Sequence, residues 1–212
     1  MKNIYLKLLF IPLLTLLLAC ETLVDSESST LSEIESTNEV ELRPGTQTIA
    51  DIVVASASDG DEPQFTLLLA ALEYTGLTGV FTGGDQYTVF APTDAAFEGL
   101  VEFVSQLLDS EGLEIFENEG AFAAVDYLLG DGTVENVLLY HVAEGRRAAN
   151  SVVPRNARQD RKIQTLLGVE FSVNSSLGIT AVGNTANIVD ADISASNGII
   201  HVIDTVILPI EL

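Results

Sequence analysis

Apolar residues recur with the spacing of helices in the first half of the chain. One helical face is formed by residues at i, i+3, i+4 and i+7, namely Phe65, Leu68, Leu69 and Leu72. The same spacing predicts helices near 121–129 and 134–140, and another from Asp94 towards Leu108. The first half of the chain is therefore predicted to be mainly helical.

Local signals predict where several of these helices begin and end. Thr48 and Asp51 form a capping pattern for a first helix that reaches about Ser58. Pro63 suits the first turn of a second helix, which Gly76 ends. Thr93 is positioned to cap a third helix, whose positive start Asp94 would favour.

Short β-rich segments dominate the second half of the chain. One early strand is predicted at Tyr87–Ala91, before Pro92. After Gly145 we predict strands at Val152–Val153, Ile163–Leu167, Val169–Val173, Ile179–Val182 and Asn187–Ile193, and a long final strand at Ile199–Leu208. Helices followed by strands, without an internal repeat, predict one α+β domain.

The N-terminus has the pattern of an export signal. Lys2 and Lys7 precede an apolar run at residues 8–18, which is too short to span a bilayer comfortably. Leu17-Leu18-Ala19-Cys20 follows and resembles a bacterial lipobox, in which the cysteine is lipidated and becomes the first mature residue. We therefore predict a lipoprotein signal peptide at 1–19 and a membrane anchor at Cys20. The alternative is a buried cysteine at the end of a core helix.

An acidic segment separates this signal from the domain. Glu21–Gly45 contains seven acidic residues and one basic residue, Arg43, and few large apolar groups. Such a composition is typical of an extended, solvated linker. The predicted organisation is a signal peptide at 1–19, a tether at 20–45 and one domain at 46–212.

Charge and cysteine content narrow the function classes. The 212-residue chain has a net charge of −22, which repels phosphate groups and excludes a general nucleic-acid role. Its single cysteine excludes an internal disulfide. The export signal predicts that the protein is anchored by lipid in a bacterial cell envelope, outside the cytoplasm. The expected site is the outer membrane or the cell surface.

Four sequence blocks occur in an order that resembles the fasciclin family. They are YTVFAPTDAAF at 87–97, VLLYHVAEG at 137–145, IQTLLG at 163–168 and NGIIHVIDTVILP at 197–209. The resemblance implies a fasciclin-like α+β domain with helices packed against a mixed β-sheet wedge, and extracellular adhesion or matrix-binding roles. The stretch 109–133 is longer than the resemblance leads us to expect.

The resemblance makes Tyr140 and His141 candidate adhesion residues, because a Tyr-His pair here is linked to integrin adhesion in animal relatives. The alternative is structural: Tyr140 packs, and His141 lies near a helix C-terminus, where a protonated imidazole is favoured. His201 lies in the apolar final strand, which indicates a hydrogen-bonded core histidine. We therefore expect His201→Ala to cost more stability than His141→Ala. No ligand spacing predicts a metal site.

Basic residues are confined to one segment of the domain. From Thr46 to Glu144 there are 18 acidic residues and no Lys or Arg. The candidate patch for an anionic ligand comprises Arg146, Arg147, Arg155, Arg158, Arg161 and Lys162. It would bind an acidic polysaccharide or the acidic face of a second copy; alternatively, these side chains pair with nearby acids and stabilise the fold.

Three function classes remain open. The first is an adhesion module that binds extracellular polysaccharide, matrix or a cell-surface protein. The second is an accessory structural lipoprotein of an envelope complex, and the third is an enzyme acting on envelope polysaccharide. No hydrolase, metalloprotease, P-loop or dinucleotide-binding motif is present. We therefore predict a binding module without catalytic residues or cofactors.

Overall fold

The structure is a computed structural model that describes residues 45–59 and 64–211. The predicted signal peptide at 1–19, Cys20 and the tether up to residue 44 lie outside the described residues. These assignments stay predictions. Pro63 also lies outside the described residues, but the second helix begins at Thr66, so the prediction that Pro63 lies in its first turn is wrong. Phe65, predicted on the apolar face of that helix, precedes it in a left-handed conformation (φ 63°).

Helices make up most of the chain between residues 49 and 152. They are α1 (Ile49–Ala57), α2 (Thr66–Thr75), α3 (Asp94–Ser105), α4 (Ser110–Glu119), α5 (Ala121–Leu129), α6 (Thr133–Tyr140) and α7 (Ala149–Val152), with a 3₁₀ helix at Leu77–Thr82. The helices predicted near 121–129 and 134–140 are thus confirmed. The 3₁₀ helix and α4 were not predicted.

Seven strands form one mixed sheet. They are β1 (Tyr87–Pro92), β2 (Val142–Glu144), β3 (Arg161–Gln164), β4 (Glu170–Val173), β5 (Gly178–Thr180), β6 (Thr185–Ala195) and β7 (Gly198–Ile203). Their order is β2-β1-β7-β6-β5-β4-β3. Only the β1–β7 pair is parallel among these strands, with Tyr87 opposite Gly198. The predicted α+β class is confirmed.

Side-chain caps fix the helix starts. Thr48 and Asp51 form a complete capping box on α1, and the Thr93 hydroxyl accepts a hydrogen bond from the Ala96 N–H on α3. Asp94 lies in the first turn of α3, as predicted, and it has a second role that was not predicted. Its carboxylate accepts hydrogen bonds from the Thr66 N–H (3.2 Å), the Thr66 hydroxyl (2.8 Å) and the Leu67 N–H (2.9 Å), so it also caps α2.

Two strand predictions were wrong. Val152 ends helix α7 and Val153 follows it, so no strand forms there. The final strand stops at Ile203, although apolar residues continue to Leu208. In this segment the backbone forms hydrogen bonds with the Asn184 side chain and not with a neighbouring strand. The Asn184 amide nitrogen donates to the Val206 carbonyl (2.7 Å), and its amide oxygen accepts from the Leu208 N–H (3.0 Å).

The long stretch 109–133 is a helical pair, α4 and α5. Asp109 caps α4 through the Gly112 N–H (2.8 Å) and also accepts hydrogen bonds from the Tyr127 hydroxyl. A Cβ at Gly112 would meet Leu108 at 2.8 Å and the Tyr127 ring at 3.0 Å, so this glycine permits the close approach.

Two apolar clusters hold the helices and the sheet together. The larger contains residues of α1, α2, α3, α5 and α6 together with β1 and β7. The second is built around Phe90, Tyr140, Phe171 and Ile203. Every residue of β7 is buried and β1 is nearly so, because both strands lie inside the sheet, between β2 and β6.

Candidate functional site

Tyr140 and His141, the candidate adhesion pair, are buried. Tyr140 is 0% exposed and its hydroxyl donates to the Glu170 carbonyl (3.2 Å); His141 is 2% exposed. Neither side chain can touch a partner while the domain is folded. Their burial contradicts a direct adhesion contact and favours the structural alternative, in which they hold α6 against the sheet.

The His141 ring is neutral, which corrects the expectation of a protonated imidazole. Its Nδ1–H donates to the Val137 carbonyl (2.6 Å), while Nε2 accepts from the Ile207 N–H (3.0 Å). Both bonds form only in the neutral ring. Burial lowers the pKa of His141 to about 4, against an opposing effect of the bond to Val137.

His201, in β7, is buried like His141. Its Nε2 lies 3.0 Å from the Arg147 carbonyl, and its Nδ1 accepts from the Asp192 N–H (3.3 Å). Burial lowers the pKa of His201, although the bond to Arg147 and the Asp192 charge oppose the shift. The core assignment of His201 is confirmed. However, His141 is equally enclosed, so the expected smaller effect of His141→Ala loses its basis.

Three arginines of the candidate patch bind backbone carbonyls. The Arg146 guanidinium donates to the carbonyls of Ala195 (2.7 Å) and Gly198 (2.6 Å) and to the Ser194 hydroxyl (2.6 Å). Arg147 donates through Nε to the Glu144 carbonyl (3.1 Å).

The third, Arg161, starts β3 and donates to the Ser151 carbonyl (2.8 Å). All three arginines therefore fasten the segment to the sheet or to α7. A carbonyl acceptor carries no net charge, so their positive charge is not neutralised by these contacts.

The alternative of pairing with nearby acids holds for one residue only. Lys162 lies 3.3 Å from the Glu170 carboxylate in the only salt bridge among the described residues, and both side chains are largely exposed. Such an exposed pair contributes about 0–1 kcal/mol. Arg155 and Arg158 are exposed and make no hydrogen bond or ion pair with any described residue.

Arg155 borders a surface cleft, which we call the 150–161 cleft. Its volume is about 490 Å³, and buried Pro154 lies beside the polar lining residues Asn150, Arg155, Asn156, Gln159, Asp160 and Arg161. Arg158 is in the same loop but does not line the cleft. The arginines of the cleft were predicted from the sequence, whereas the amides Asn150, Asn156 and Gln159 were not. Their signal was the alternation of Asn and Gln with Arg between 150 and 161.

A second hollow lies between α3 and the segment 204–208. Its volume is about 500 Å³, and exposed Phe103 lies on its wall. The polar side chains there already bond within the protein: Asn184 holds Val206 and Leu208, and Asp204 accepts from the Asn187 backbone and side-chain amides. The 150–161 cleft is therefore the better candidate for polar recognition.

The described part of the chain has neither a metal-binding cluster nor a membrane-spanning helix. No group of three or more His, Cys, Asp or Glu residues at 45–59 and 64–211 is arranged to hold a metal ion. Over those same residues, none of the helices is long and apolar enough to cross a bilayer.

Residues 63–209 match the family model described as Fasciclin domain. Protein sll1483 of Synechocystis is 31% identical over 179 residues, covering 84% of this chain and 86% of that protein. The cell surface glycolipoprotein MPB83 of Mycobacterium bovis is 28% identical, and the match covers 75% of this chain and 61% of that protein. A solved FAS1 domain pair from the insect cell adhesion molecule Fasciclin I matches with a TM-score of 0.36 and 16% identity, over 65% of this chain and 40% of that one.

Proposed function

The chain belongs to the fasciclin domain family, and from this we propose that it is an adhesion or binding module held at the surface of a bacterial envelope membrane by lipid on Cys20. The Leu17-Leu18-Ala19-Cys20 motif and the acidic tether support the anchor. MPB83, a relative, is described as a cell surface glycolipoprotein, which is consistent with this location. The family resemblance supports binding over catalysis.

The docking residues in this proposal are Arg155 and Arg158. Both arginines are exposed and lack protein partners among the described residues, in a domain whose residues 46–144 carry 18 acids and no base. This contrast is the observation that carries the proposal. An unpaired guanidinium binds carboxylate or sulfate with two parallel hydrogen bonds, so the partner is an anionic surface polymer or an acidic protein face.

Binding of the full-length protein in detergent to an array of glycans and matrix proteins tests the proposal. We expect an anionic ligand, and we expect Arg155→Glu with Arg158→Glu to abolish its binding without moving the urea midpoint. Lys162→Glu is the control, since Lys162 already pairs with Glu170. Unchanged binding by the double variant would disprove the docking role, whereas binding to a second copy alone would identify self-association.

A further inference from the structure

The 150–161 cleft has the volume of a small-molecule site. Its volume of about 490 Å³ lies within the ~300–1,000 Å³ of typical ligand pockets. It lies where α7 ends and β3 begins, and two of its lining residues are held in place: Arg161 bonds the Ser151 carbonyl, and Pro154 is buried. A cleft of this volume suits one compact unit of a ligand.

The lining groups suit a ligand with one negative charge and several hydroxyl groups. The Arg155 guanidinium has no partner among the described residues, and the bond to Ser151 uses one nitrogen of Arg161. Asn156 and Gln159 each offer an amide that both donates and accepts, and Asp160 offers an acceptor only. No aromatic ring lines the cleft, so recognition there is polar.

The charge of the rest of the domain limits the length of the contact. Residues 46–144 carry 18 acids and no base, so a long polyanion lying along that surface would be repelled. Attraction is confined to the basic segment. We therefore expect the domain to bind one or a few charged units of a polymer and not a long stretch of it.

We propose that the 150–161 cleft binds one carboxylated sugar unit of an acidic polysaccharide. Arg155 binds the carboxylate with two hydrogen bonds, aided by Arg161, while Asn156, Gln159 and Asp160 bind ring hydroxyls. This assignment rests on the proposed function, because it names the ligand of the same basic segment. The cleft assignment differs from the proposed docking because it requires the uncharged lining residues of the cleft as well as its positive charge.

Calorimetric titration of the full-length protein in detergent with trigalacturonate tests the assignment. The fully methyl-esterified trimer keeps the rings and removes the charge, and dextran sulfate keeps charge without carboxylate. We expect binding of the acid, and binding of the ester and of dextran sulfate at least about ten-fold weaker.

Three single variants separate the cleft from diffuse charge. We expect Arg155→Gln to weaken trigalacturonate binding about ten-fold or more, and Gln159→Ala about three-fold although it removes no charge. Lys162→Gln removes the same charge from the basic segment without touching the cleft, so it should weaken binding less than about two-fold. All three side chains are exposed, and a urea titration verifies folding.

The outcomes distinguish the two proposals. Equal weakening by Arg155→Gln and Lys162→Gln, with no effect of Gln159→Ala, would overturn the cleft assignment and leave electrostatic docking standing. Equal binding of the acid and the ester would also overturn it. If the wild-type protein bound no anionic polymer or acidic protein at all, both proposals would fail.

Discussion

Asp94, the first residue of α3, caps the helix that begins at Thr66. One carboxylate accepts three hydrogen bonds from the start of α2, two of them from Thr66 itself. Asp94 lies in the YTVFAPTDAAF block, and its neighbour Thr93 caps α3. Two adjacent residues of this block therefore fix the starts of two different helices.

We expect Asp94→Ala to destabilise the domain by about 2–3 kcal/mol, because it leaves two backbone N–H groups and a hydroxyl without an acceptor. Thr93→Ala removes one cap and should cost about 1 kcal/mol. Urea unfolding of both variants measures the difference. Equal losses would contradict the cap on α2, and a double-mutant cycle with Thr66→Val should show a coupling of about 1 kcal/mol.

Stability should fall as the pH drops below about 6.5, because both histidines are neutral in the fold. The unfolded chain takes up a proton near pH 6.5, whereas folded His141, with its pKa near 4, does not. The stabilising effect is complete above pH 6.5 and is lost progressively down to pH 4. His141 alone accounts for about 2 kcal/mol between pH 7.5 and 5, and His201 adds a loss of the same sign.

Urea unfolding at these two pH values measures that loss, and NMR of the imidazole protons identifies its source. Asp51 and Asp204 also have lowered pKa values, but they start from 3.8 and act below this window. An imidazole of the folded protein that titrates near pH 6.5 would contradict the assignment.

The basic segment should divide into structural and free arginines. We expect Arg146→Ala to cost about 1–2 kcal/mol, because the Ala195 and Gly198 carbonyls lose their donor. Arg158→Ala should stay within about 0.5 kcal/mol of wild type, as a surface residue without a partner among the described residues does. Thermal melts of the two variants compare them directly. A larger loss for Arg158→Ala would show that the division is wrong.

Cys20→Ala should release the protein from membranes or leave it as an unprocessed precursor, because acyl chains on Cys20 are the proposed anchor. Membrane fractionation with labelled palmitate measures both outcomes. Ser26→Ala, in the tether, is a control that should fractionate like the wild type. Equal palmitate incorporation by Cys20→Ala and the wild type would show that Cys20 is not the anchor.

Sequence patterns succeeded where the deciding contact is local. The Thr48 box and the Thr93 cap act within three residues, so the sequence alone places α1 and α3. The patterns failed where the partner is distant. Asp94 reaches back to α2, and beyond the end of β7 the backbone of Val206 and Leu208 bonds the Asn184 side chain and not a neighbouring strand.

The candidate site shows the same division. The position of the arginines follows from the sequence, but which of them are unpartnered depends on the location of carbonyl groups. Arg146 meets carbonyls of β6 and β7, whereas Arg155 meets none among the described residues. Likewise, His141 accepts a hydrogen bond from the Ile207 N–H, which lies 66 residues further along the chain.

The parallel pairing of β1 with β7 also bears on how the domain reaches its native state. Tyr87 cannot pair with Gly198 until β7 has been made, so this inner pair of strands closes only after most of the chain is available. Such sequence-distant pairing slows folding, because the entropy of a large loop is lost before the contacts form. If the chain is exported as proposed, slow folding leaves it unfolded while it passes through a translocation pore. The β1–β7 pair then forms on the far side of the membrane.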